Sequence, residues 1–323
     1  MNAFIHTAKK DLVDEAIYSL LIYLKNQNYE FITASPNTHQ IWLNKNHQRL
    51  AKDLRDVFGW CLPFTKYMID SVLFELLRTS ELIYLEENDE VKWKSRIRVS
   101  TLGQELFAHS AFPTIEQDSV FFGPDTYRFL HTVNRYLADT THPIERAVEV
   151  CCGASPAAIT IAKRYPLTIV QAIDINPKAL KYSEINASVA EVKIHLINNN
   201  LFQNFQIHFD LIVANPPFMI DIKKRAYRDG GGQFGTGLAL SIVTESLERL
   251  AYQGTLLLYT GTCIVAGKDV FYEQLQKLLS TRYNFEWEYQ EIDVDIFSEE
   301  LLVDEYEDVE RIAAVLIQIQ KKN

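Results

Sequence analysis

A strand, a tight glycine turn and a helix start follow one another at residues 147–156, and this succession most constrains the fold. The residues read Ala-Val-Glu-Val-Cys-Cys-Gly-Ala-Ser-Pro, with the apolar character of a buried strand before the turn at Gly153. Ser155 is a good N-cap residue, and Pro156 suits the first position of a helix. We therefore expect a strand, a turn and a helix from Ala157 to Arg164.

A second apolar segment, Leu167 to Ile173, predicts the next strand, and Asp174 follows at its end. Asp174 lies 21 residues after Gly153. At that spacing, an acidic residue at the tip of the second strand meets ribose hydroxyls in nucleotide-binding βαβ folds. The sequence therefore predicts a nucleotide site where the first two strands end.

The segment Asp210–Phe218 reads as an apolar strand that ends in an asparagine, two prolines and an aromatic ring. Pro216 and Pro217 have fixed φ and no N–H, so the chain leaving the strand is rigid and its carbonyl groups need partners from elsewhere. An amide or exocyclic amine could donate to the Asn215 oxygen and the Pro216 carbonyl while Phe218 covers its plane. The alternative interpretation is a Pro-Pro turn that the asparagine merely caps.

In this order and context, the patterns resemble class I S-adenosylmethionine-dependent methyltransferases, in the branch whose fourth strand ends in (Asn/Asp)-Pro-Pro-(Tyr/Phe). That branch includes the protein-glutamine N5 methyltransferases of release factors and the N6-adenine and N2-guanine methyltransferases of DNA and RNA. The resemblance covers roughly residues 120 to 320. It implies an α/β fold with a Rossmann-like sheet, helices on both faces and an antiparallel closing pair of strands at one edge.

The resemblance also implies the cofactor, S-adenosylmethionine, and the residues that hold it. The implied cofactor contacts are Glu149, Cys151, Gly153, Asp174, Asn200 and Asn215. Gly153 would let the backbone approach the cofactor, Asp174 would hold the ribose, and Asn200 stands where the family usually has an aspartate that contacts the adenine amine. Glu149 matches the acidic residue of the first-strand motif. The methyl acceptor would lie at Asn215, Pro216, Pro217 and Phe218.

The glycine loop departs from the family pattern. Two of its three usual glycines are replaced, by Cys151 and Ser155, and each replacement brings a side chain close to the expected ligand. Cofactor affinity is therefore less firmly predicted than the fold.

Two further segments match the glutamine methyltransferases. Phe121–Phe129 contains Gly-Pro-Asp-Thr and resembles the Pro-x-(Asp/Glu)-Thr segment that folds over the cofactor in those enzymes. It could equally be a plain helix start capped by Asp125 or Thr126. Tyr227–Leu238 is too rich in glycine for a helix or strand interior, and we expect a mobile lid there, with a linker as the alternative.

We place a domain boundary near residue 115, in an irregular stretch that contains a proline. Residues 1–115 would form a small, mainly helical accessory domain for substrate recognition, and residues 116–323 the methyltransferase domain. The expected accessory elements are helices at residues 11–27, 50–60 and 67–78, and a hairpin at 82–99 that would make a winged helix. The expected later elements are helices at 238–251 and 268–280, strands at 255–260, 285–292 and 312–319, and a solvated acidic loop at 293–310.

The formal net charge of −10 is concentrated at one end, because residues 286–323 carry 12 acidic and 3 basic side chains. The nearly neutral remainder weakens a nucleic-acid partner without excluding one. One basic strip favours a nucleic-acid partner, because strand alternation puts four basic side chains on a single face. They are Lys92, Lys94, Arg96 and Arg98. We favour the alternative, a solvated face paired with Glu86 and Glu87 across the hairpin.

Composition sets the remaining limits. No apolar run approaches the roughly 18 to 20 residues needed to cross a bilayer, and the amino terminus lacks the apolar core of a signal peptide. The four cysteines form neither a disulfide framework nor a zinc spacing, which predicts a reducing cytoplasm and no metal. We expect methyl transfer to a planar nitrogen, favouring a protein glutamine side chain. The alternatives are a nucleobase amine in RNA or DNA, a small-molecule amine, and an inactive cofactor fold that serves as a binding module.

Overall fold

The computed structural model describes residues 2–47, 49–87 and 89–322, with side chains from residue 12 onward. The helices are α1 (Asn2–Asn26), α2 (Pro36–Lys45), α3 (Leu54–Phe58), α4 (Ser71–Thr79), α5 (Pro124–Asp139), α6 (Pro156–Arg164), α7 (Pro177–Val189), α8 (Gly237–Leu247) and α9 (Val270–Leu279). The strands are β1 (Ile83–Leu85), β2 (Trp93–Ser95), β3 (Ile97–Leu102), β4 (Glu105–Ser110), β5 (Arg146–Val150), β6 (Ile169–Asp174), β7 (His195–Asn198), β8 (Phe209–Ala214), β9 (Leu250–Val265), β10 (Lys268–Asp269), β11 (Phe285–Asp293) and β12 (Arg311–Lys321). Within the described ranges, no helix combines the length and the apolar character that a membrane crossing needs.

One sheet has its strands in the order β11-β12-β9-β8-β5-β6-β7, and the short β10 pairs with β9. The strands β5 to β9 run parallel, whereas β12 is antiparallel to both of its neighbours. The strand order changes direction at β5, which has β6 on one side and β8 on the other. The predicted class I sheet with its antiparallel closing pair is therefore confirmed, and a ligand crevice is expected at the carboxyl ends of β5 and β8.

Buried apolar side chains cover both faces of this sheet. On one face, Leu211 belongs to the same buried cluster as Phe129 of α5. On the other face, Ile212 belongs to a cluster with Ile242 of α8. Adjacent residues of β8 thus point to opposite sides, as strand geometry requires, and the prediction of helices on both faces is confirmed.

The predicted elements of this sheet are present with shifted ends. The helix predicted from Ala157 is α6, and the strand predicted over residues 167–173 is β6. The helix predicted to reach Ala251 ends at Leu247, because β9 begins at Leu250. This long strand also extends well beyond the six residues predicted for it.

The N-terminal part contains helices α1 to α4 and two separate hairpins, β1–β2 and β3–β4. The hairpin β1–β2 was predicted, but a single strand across residues 91–99 is wrong, because the chain bends at Arg96. The Ser95 hydroxyl both donates to the Ile97 carbonyl at 2.7 Å and accepts from the Ile97 N–H at 3.0 Å. These local hydrogen bonds replace ladder bonds and separate β2 from β3.

Two N-terminal helices differ from the prediction. The helix expected over residues 50–60 is shortened to α3, which starts late because the Asp53 carboxylate accepts from the Asp56 N–H at 2.8 Å and caps it. The helix α2 lies where none was predicted, although Ser35 accepts from the Thr38 N–H in the same manner. A serine followed by a proline was the available signal for this start.

The N-terminal part packs directly on α7. Tyr182 of α7 lies in the same buried cluster as Leu20 of α1. The fully buried Asn186 also joins the two parts, since its oxygen accepts from the Ala108 N–H at 2.9 Å and its amide donates to the Ala154 carbonyl at 3.2 Å. The β3–β4 hairpin is thereby tied to the turn after β5, and a division near residue 115 stays a prediction.

Candidate functional site

A cavity of about 290 Å³ lies at the carboxyl ends of β5, β6 and β8, in the crevice where the strand order changes direction. It brings together most of the residues that the sequence singled out. Those on its wall are Cys151, Gly153, Asp174, Asn200, Asn215, Pro216, Pro217 and Phe218. Glu149, in contrast, lies behind the wall.

The turn after β5 holds three residues in the left-handed region, Cys151 at φ 55°, Gly153 at φ 53° and Ser155 at φ 57°. A residue with a side chain adopts this region at a cost of about 1–2 kcal/mol. The Ser155 hydroxyl donates to Ser183 at 2.7 Å, and Ser183 donates to the Gly153 carbonyl at 2.9 Å. The turn thus keeps the left-handed backbone conformation that glycine favours. Ser155 is the N-cap residue of α6, as predicted, but its side chain makes no capping hydrogen bond.

Glu149 caps α6 from within the protein. Its carboxylate accepts from the N–H groups of Ala157 at 3.3 Å and Ala158 at 2.7 Å, the second and third residues of the helix. The side chain is buried, and burial raises the pKa of Glu149 to about 8 although the two hydrogen bonds lower it. The geometry therefore gives Glu149 a role in holding the helix start, and its direct contact with a cofactor stays a prediction.

Asp174 lies on the cavity wall at the end of β6. Its Oδ2 accepts from the Gly153 N–H and its Oδ1 from the Asn176 N–H, both at 2.9 Å. Burial raises the pKa of Asp174, while these hydrogen bonds act in the opposite direction. Each carboxylate oxygen can accept a further hydrogen bond. Asp174 can therefore receive hydroxyl groups of a ligand while it fixes the turn after β5.

The loop after β7 places Asn200 on the cavity wall. The neighbouring Asn199 side chain donates to the carbonyl groups of Leu201 at 3.3 Å and Gln203 at 2.7 Å, so it holds the loop in shape. The amide of Asn200 offers both an acceptor and a donor for the edge of a base.

Phe218 is fixed at the cavity wall by two close backbone approaches. A Cβ on Gly261 would come within 2.3 Å of the Phe218 ring, and one on Gly235 within 2.1 Å of its carbonyl oxygen. The Phe297 ring adds an edge contact, with ring centroids 6.0 Å apart. The glycine-rich segment is therefore packed against the end of β8 in this structure. Its mobility stays a prediction.

Ion pairs hold the segment that follows Phe218. Arg225 Nη2 lies 2.5 Å from Asp221 Oδ1, and its Nε donates to Asp221 Oδ2 at 3.0 Å. Arg228 pairs with Glu300. Both arginines lie on the cavity wall, and each is matched by a carboxylate from the protein itself.

The acidic segment 293–310 is part of this arrangement. The segment is solvated as predicted at most of its carboxylates, but it buries Ile296, Tyr306 and Val309. It forms two short 3-10 turns, at Ser298–Leu302 and Asp304–Tyr306. The hydroxyl of the buried Tyr306 accepts from the Ile220 N–H at 2.8 Å. The alternation of acidic with apolar residues in this segment was the signal that one side is buried.

Another part of the cavity wall comes from the segment between β4 and α5. Tyr227 donates its hydroxyl to the Thr114 carbonyl, and the Phe121 ring stacks on the Tyr227 ring at 6.4 Å. Phe112 and Pro113 line the cavity beside them. The sequence predicted only an irregular domain boundary here. Its concentration of aromatic residues was the available signal.

Asp125 reaches the cavity from the first turn of α5. The Tyr259 hydroxyl donates to Asp125 Oδ1 at 2.5 Å, and Arg128 Nη1 lies 3.3 Å from the same oxygen. Burial raises the pKa of Asp125, and both contacts lower it. The residue at the N-cap is Gly123 and not Asp125 or Thr126, but the Thr126 hydroxyl takes part in the capping, because it accepts from the Gly123 N–H at 3.3 Å.

The predicted basic strip is broken at Arg98, whereas Arg96 stays exposed. Arg98 is only 5% exposed, and its Nε donates to the Gly59 carbonyl at 2.9 Å. Arg96 lies over the Tyr84 ring, with the guanidinium carbon 4.4 Å from the ring centroid. The prediction that Arg98 shares an exposed face with the others is therefore wrong, because the chain bends between β2 and β3.

The other two members have acidic partners. Lys94 lies 2.7 Å from Glu86, and Lys92 lies 3.0 Å from Asp89. The pair of Lys94 with Glu86 is the cross-hairpin pairing of the alternative interpretation, which is confirmed for that pair.

Comparison with known proteins identifies a family model that matches the part of the chain around this site. Residues 135–281 match the family model of the methyltransferase small domain. This stretch runs from within α5 to the end of α9 and contains β5 to β9. This part of the chain is therefore similar to the methyltransferase small domain.

Two relatives are similar over part of their length. A release factor glutamine methyltransferase of Flavobacterium psychrophilum is 30% identical over 148 residues, which cover 43% of this chain and 51% of that protein. A ribosomal protein uL3 glutamine methyltransferase of Neisseria meningitidis is 28% identical over 130 residues, covering 36% of this chain and 43% of that protein. The chain thus spans about half the length of the relatives it matches. A solved ribosomal protein L11 methylase of Lactobacillus delbrueckii subsp. bulgaricus covers 61% of this chain and 80% of its own, at 16% identity and a TM-score of 0.42.

Proposed function

We propose that this protein is an S-adenosylmethionine-dependent methyltransferase that acts on a planar nitrogen, with a protein glutamine side chain as the favoured acceptor. The observation that carries the proposal is that Asn215 to Phe218 share one cavity wall with Gly153 and Asp174. The family match supports the methyl transfer. The names of the two relatives, both glutamine methyltransferases, support the acceptor.

The residues on the wall fit the proposed cofactor. The Asp174 carboxylate suits a ribose diol, and the amide of Asn200 suits the amine edge of adenine. A Cβ on Gly153 would have Val120 as its nearest contact, at 4.0 Å, so the space beside this glycine is open to a ligand. The cofactor would supply a methyl group that its sulfonium makes electrophilic.

The task of the protein is to hold the acceptor nitrogen. The Asn215 side-chain oxygen and the Pro216 carbonyl can accept hydrogen bonds from its two N–H groups, which favours electron density on nitrogen and stabilises the positive charge that develops there. The two prolines keep these acceptors rigid. Phe218, fixed by Gly261 and Gly235, covers the plane of the acceptor and excludes water.

An inactive binding module is the less supported alternative. Cys151 and Ser155 replace glycines, yet both adopt the left-handed conformation that glycine would have. Ser183 provides hydrogen bonds that hold the turn in this shape. Despite the replacements, the backbone of the turn therefore has the conformation on the cavity side that a glycine loop would have.

A nucleobase in RNA or DNA is the second candidate acceptor, since its exocyclic amine has the same planar nitrogen. Its sequence support was the basic strip, of which Arg98 is buried and Lys94 is paired. A small-molecule amine is the third candidate. We favour the protein acceptor because the described structure presents no continuous basic face at residues 92–98.

We assign residues 1–115 to acceptor recognition, with residues 116–323 as the methyltransferase domain. Pro36, at the start of α2, and Phe112–Thr114 belong to the cavity wall. The N-terminal part therefore shapes the mouth through which an acceptor would enter.

A labelling experiment tests the proposed function. The purified protein is incubated with methyl-labelled S-adenosylmethionine and cell extract, and the macromolecular fraction is treated with protease or nuclease. Label removed by protease supports a protein acceptor, and mass spectrometry then identifies the methylated side chain. Label removed by nuclease would replace the protein acceptor with a nucleobase. The Asn215→Ala protein serves as the control that the label depends on this site.

A further inference from the structure

We propose that Arg98 binds a carboxylate group of the protein acceptor, where the N-terminal part adjoins the cavity. This inference deepens the proposed function and rests on it, because it takes a protein as the acceptor. It concerns which acceptors the protein prefers and leaves the expected cofactor contacts as they are.

Arg98 carries a positive charge inside the N-terminal part, where it is only 5% exposed. Its Nε donates to the Gly59 carbonyl and its Nη2 donates to His39 Nδ1, both at 2.9 Å. In the part of the chain that the structure describes, no aspartate or glutamate forms an ion pair with this guanidinium. A guanidinium stays protonated in proteins, and burying a charge without an ionic partner is strongly unfavourable.

The ionisable groups that act most strongly on Arg98 are neutral. Burial lowers the pKa of Arg98, and the next largest effects on it come from Cys61, Tyr29 and Tyr127. Burial raises the pKa of each of these three groups, so they are uncharged at neutral pH. None of them can therefore neutralise the guanidinium.

The two histidines beside Arg98 are neutral as well. His39 accepts from Arg98, and its other ring nitrogen donates to the Trp60 carbonyl at 3.0 Å. Burial and the charge of Arg98 lower the pKa of His39 to about 3. The same two causes hold the pKa of His109 well below its usual range. The positive charge of this cluster is therefore that of Arg98 alone.

A small space beside Arg98 adjoins the main cavity. Arg98 and His109 line it, and its volume of about 10 Å³ gives room for about one water-sized atom. Four residues line both this space and the cavity of about 290 Å³. They are Pro36, Phe112, Thr114 and Phe121. A group that reaches Arg98 from the cavity would therefore pass the segment that we assign to acceptor recognition.

The small space favours a carboxylate over a nucleic-acid phosphate. One carboxylate oxygen fits the space, and a guanidinium forms strong, charge-assisted hydrogen bonds with carboxylates. A backbone phosphate carries a sugar on each side, and proteins bind phosphate backbones with several cations at once. Among the described residues around the small space, Arg98 is the one charged side chain. A carboxylate of an acceptor protein would neutralise it on binding.

The test compares two forms of the same cell extract. In one form, a carbodiimide and ethanolamine have converted the carboxyl groups of the proteins into uncharged amides. The rate of label transfer from methyl-labelled S-adenosylmethionine to protein is measured at limiting extract. On native extract, we expect Arg98→Met to be about 10- to 100-fold slower than the unaltered protein, the range for one hydrogen-bonded charge. On amidated extract, the two should differ by less than about 2-fold, because the group that Arg98 binds is gone.

Two further variants sharpen the test. Arg96→Met is the matched control, because Arg96 is an exposed arginine close to Arg98 in sequence, and it should label both extracts as the unaltered protein does. Arg98→Lys keeps the charge but loses the planar guanidinium, so we expect a smaller deficit that amidation again removes. This variant carries the test if Arg98→Met does not fold. Calorimetry with S-adenosylhomocysteine should give the same affinity for every folded variant.

Other outcomes would overturn the assignment. No deficit for Arg98→Met, or an equal deficit on both extracts, would mean that Arg98 only supports the structure around Gly59 and His39. A weaker affinity for S-adenosylhomocysteine would mean that the guanidinium contacts the cofactor. A deficit that nuclease removes and amidation does not would mean that the anion is a phosphate. If the unaltered protein transfers no label to any fraction, the proposed function itself fails.

Discussion

The two sides of the cavity are built in different ways. The cofactor side comprises Gly153, Asp174 and Asn199–Leu201, all from one continuous β-α-β-α-β stretch. The acceptor side comprises Phe112–Thr114, Asn215–Phe218, Tyr227 and Phe297, from four separated parts of the chain. The cofactor side is fixed by local turns and caps. The acceptor side depends on contacts between distant segments, so substitutions on the two sides should have different consequences.

The largest expected effect is on the acceptor side, at Asn215. Asn215→Ala removes a fixed acceptor for the reacting amide and should lower the rate of methyl transfer about 10²- to 10³-fold. The affinity for S-adenosylhomocysteine should change little. Label incorporation into cell extract and calorimetry measure the two quantities. A variant that keeps its rate would remove Asn215 from the mechanism, and a parallel loss of affinity would erase the distinction between the two sides.

The second prediction concerns packing on the acceptor side. Gly235→Ala would place a Cβ 2.1 Å from the Phe218 carbonyl oxygen at φ 77°, so overpacking and backbone strain add up. We expect the substitution to lower either the free energy of unfolding or the stabilisation of the transition state for methyl transfer by about 3 kcal/mol. Urea denaturation measures the first quantity, and the rate of methyl transfer measures the second.

Gly231→Ala is its matched control in the same segment. Gly231 has φ 63° and nothing within 4 Å of a built Cβ, so only the backbone strain applies, about 1 kcal/mol. Equal effects of the two variants would show that Phe218 is not held by this close approach.

The third prediction concerns the cofactor side. Asp174→Ala removes the carboxylate expected at the ribose and also two hydrogen bonds, to Gly153 and Asn176. We expect the affinity for S-adenosylhomocysteine to fall about 10- to 50-fold. Once the cofactor saturates the variant, the rate of methyl transfer should recover most of its value. An unchanged calorimetric affinity would refute the ribose assignment.

The difference between the two sides explains which parts of the candidate site could be predicted from the sequence. That Gly153 and Asp174 share one cavity wall was predictable, because the distance from Gly153 to Asp174 is set by one helix between two strands. The role of Glu149 was not, because a matching residue type does not tell whether the side chain is buried behind the wall. Arg98 was misplaced because strand alternation fails where the Ser95 hydroxyl interrupts the ladder. The position of Phe297 on the acceptor side could not be predicted, because it depends on long-range contacts that no local sequence pattern encodes.

The last prediction has the smallest expected effect. It tests whether a buried carboxyl group stabilises the cofactor side. The pKa of Glu149 is about 8 in the folded protein, and the free carboxyl titrates near 4.3. The folded state thus keeps a proton that the unfolded state releases. The stabilisation is fully present below the unfolded pKa and is lost as the pH rises through the folded one, so the free energy of unfolding should fall between about pH 5 and pH 8.

Glu149→Gln keeps an oxygen that can accept from Ala157 and Ala158 but cannot titrate. We expect the fall in the free energy of unfolding between pH 5 and pH 6 to shrink by about 1 kcal/mol in the variant, as measured by urea denaturation at both pH values. The remaining slope belongs to other buried carboxyl groups, including Asp174, whose pKa is also raised by burial. An identical slope in both proteins would mean that Glu149 is ionised in the folded state. Its carboxylate would then hold the start of α6 by charge, with the two N–H groups and the helix dipole offsetting its burial.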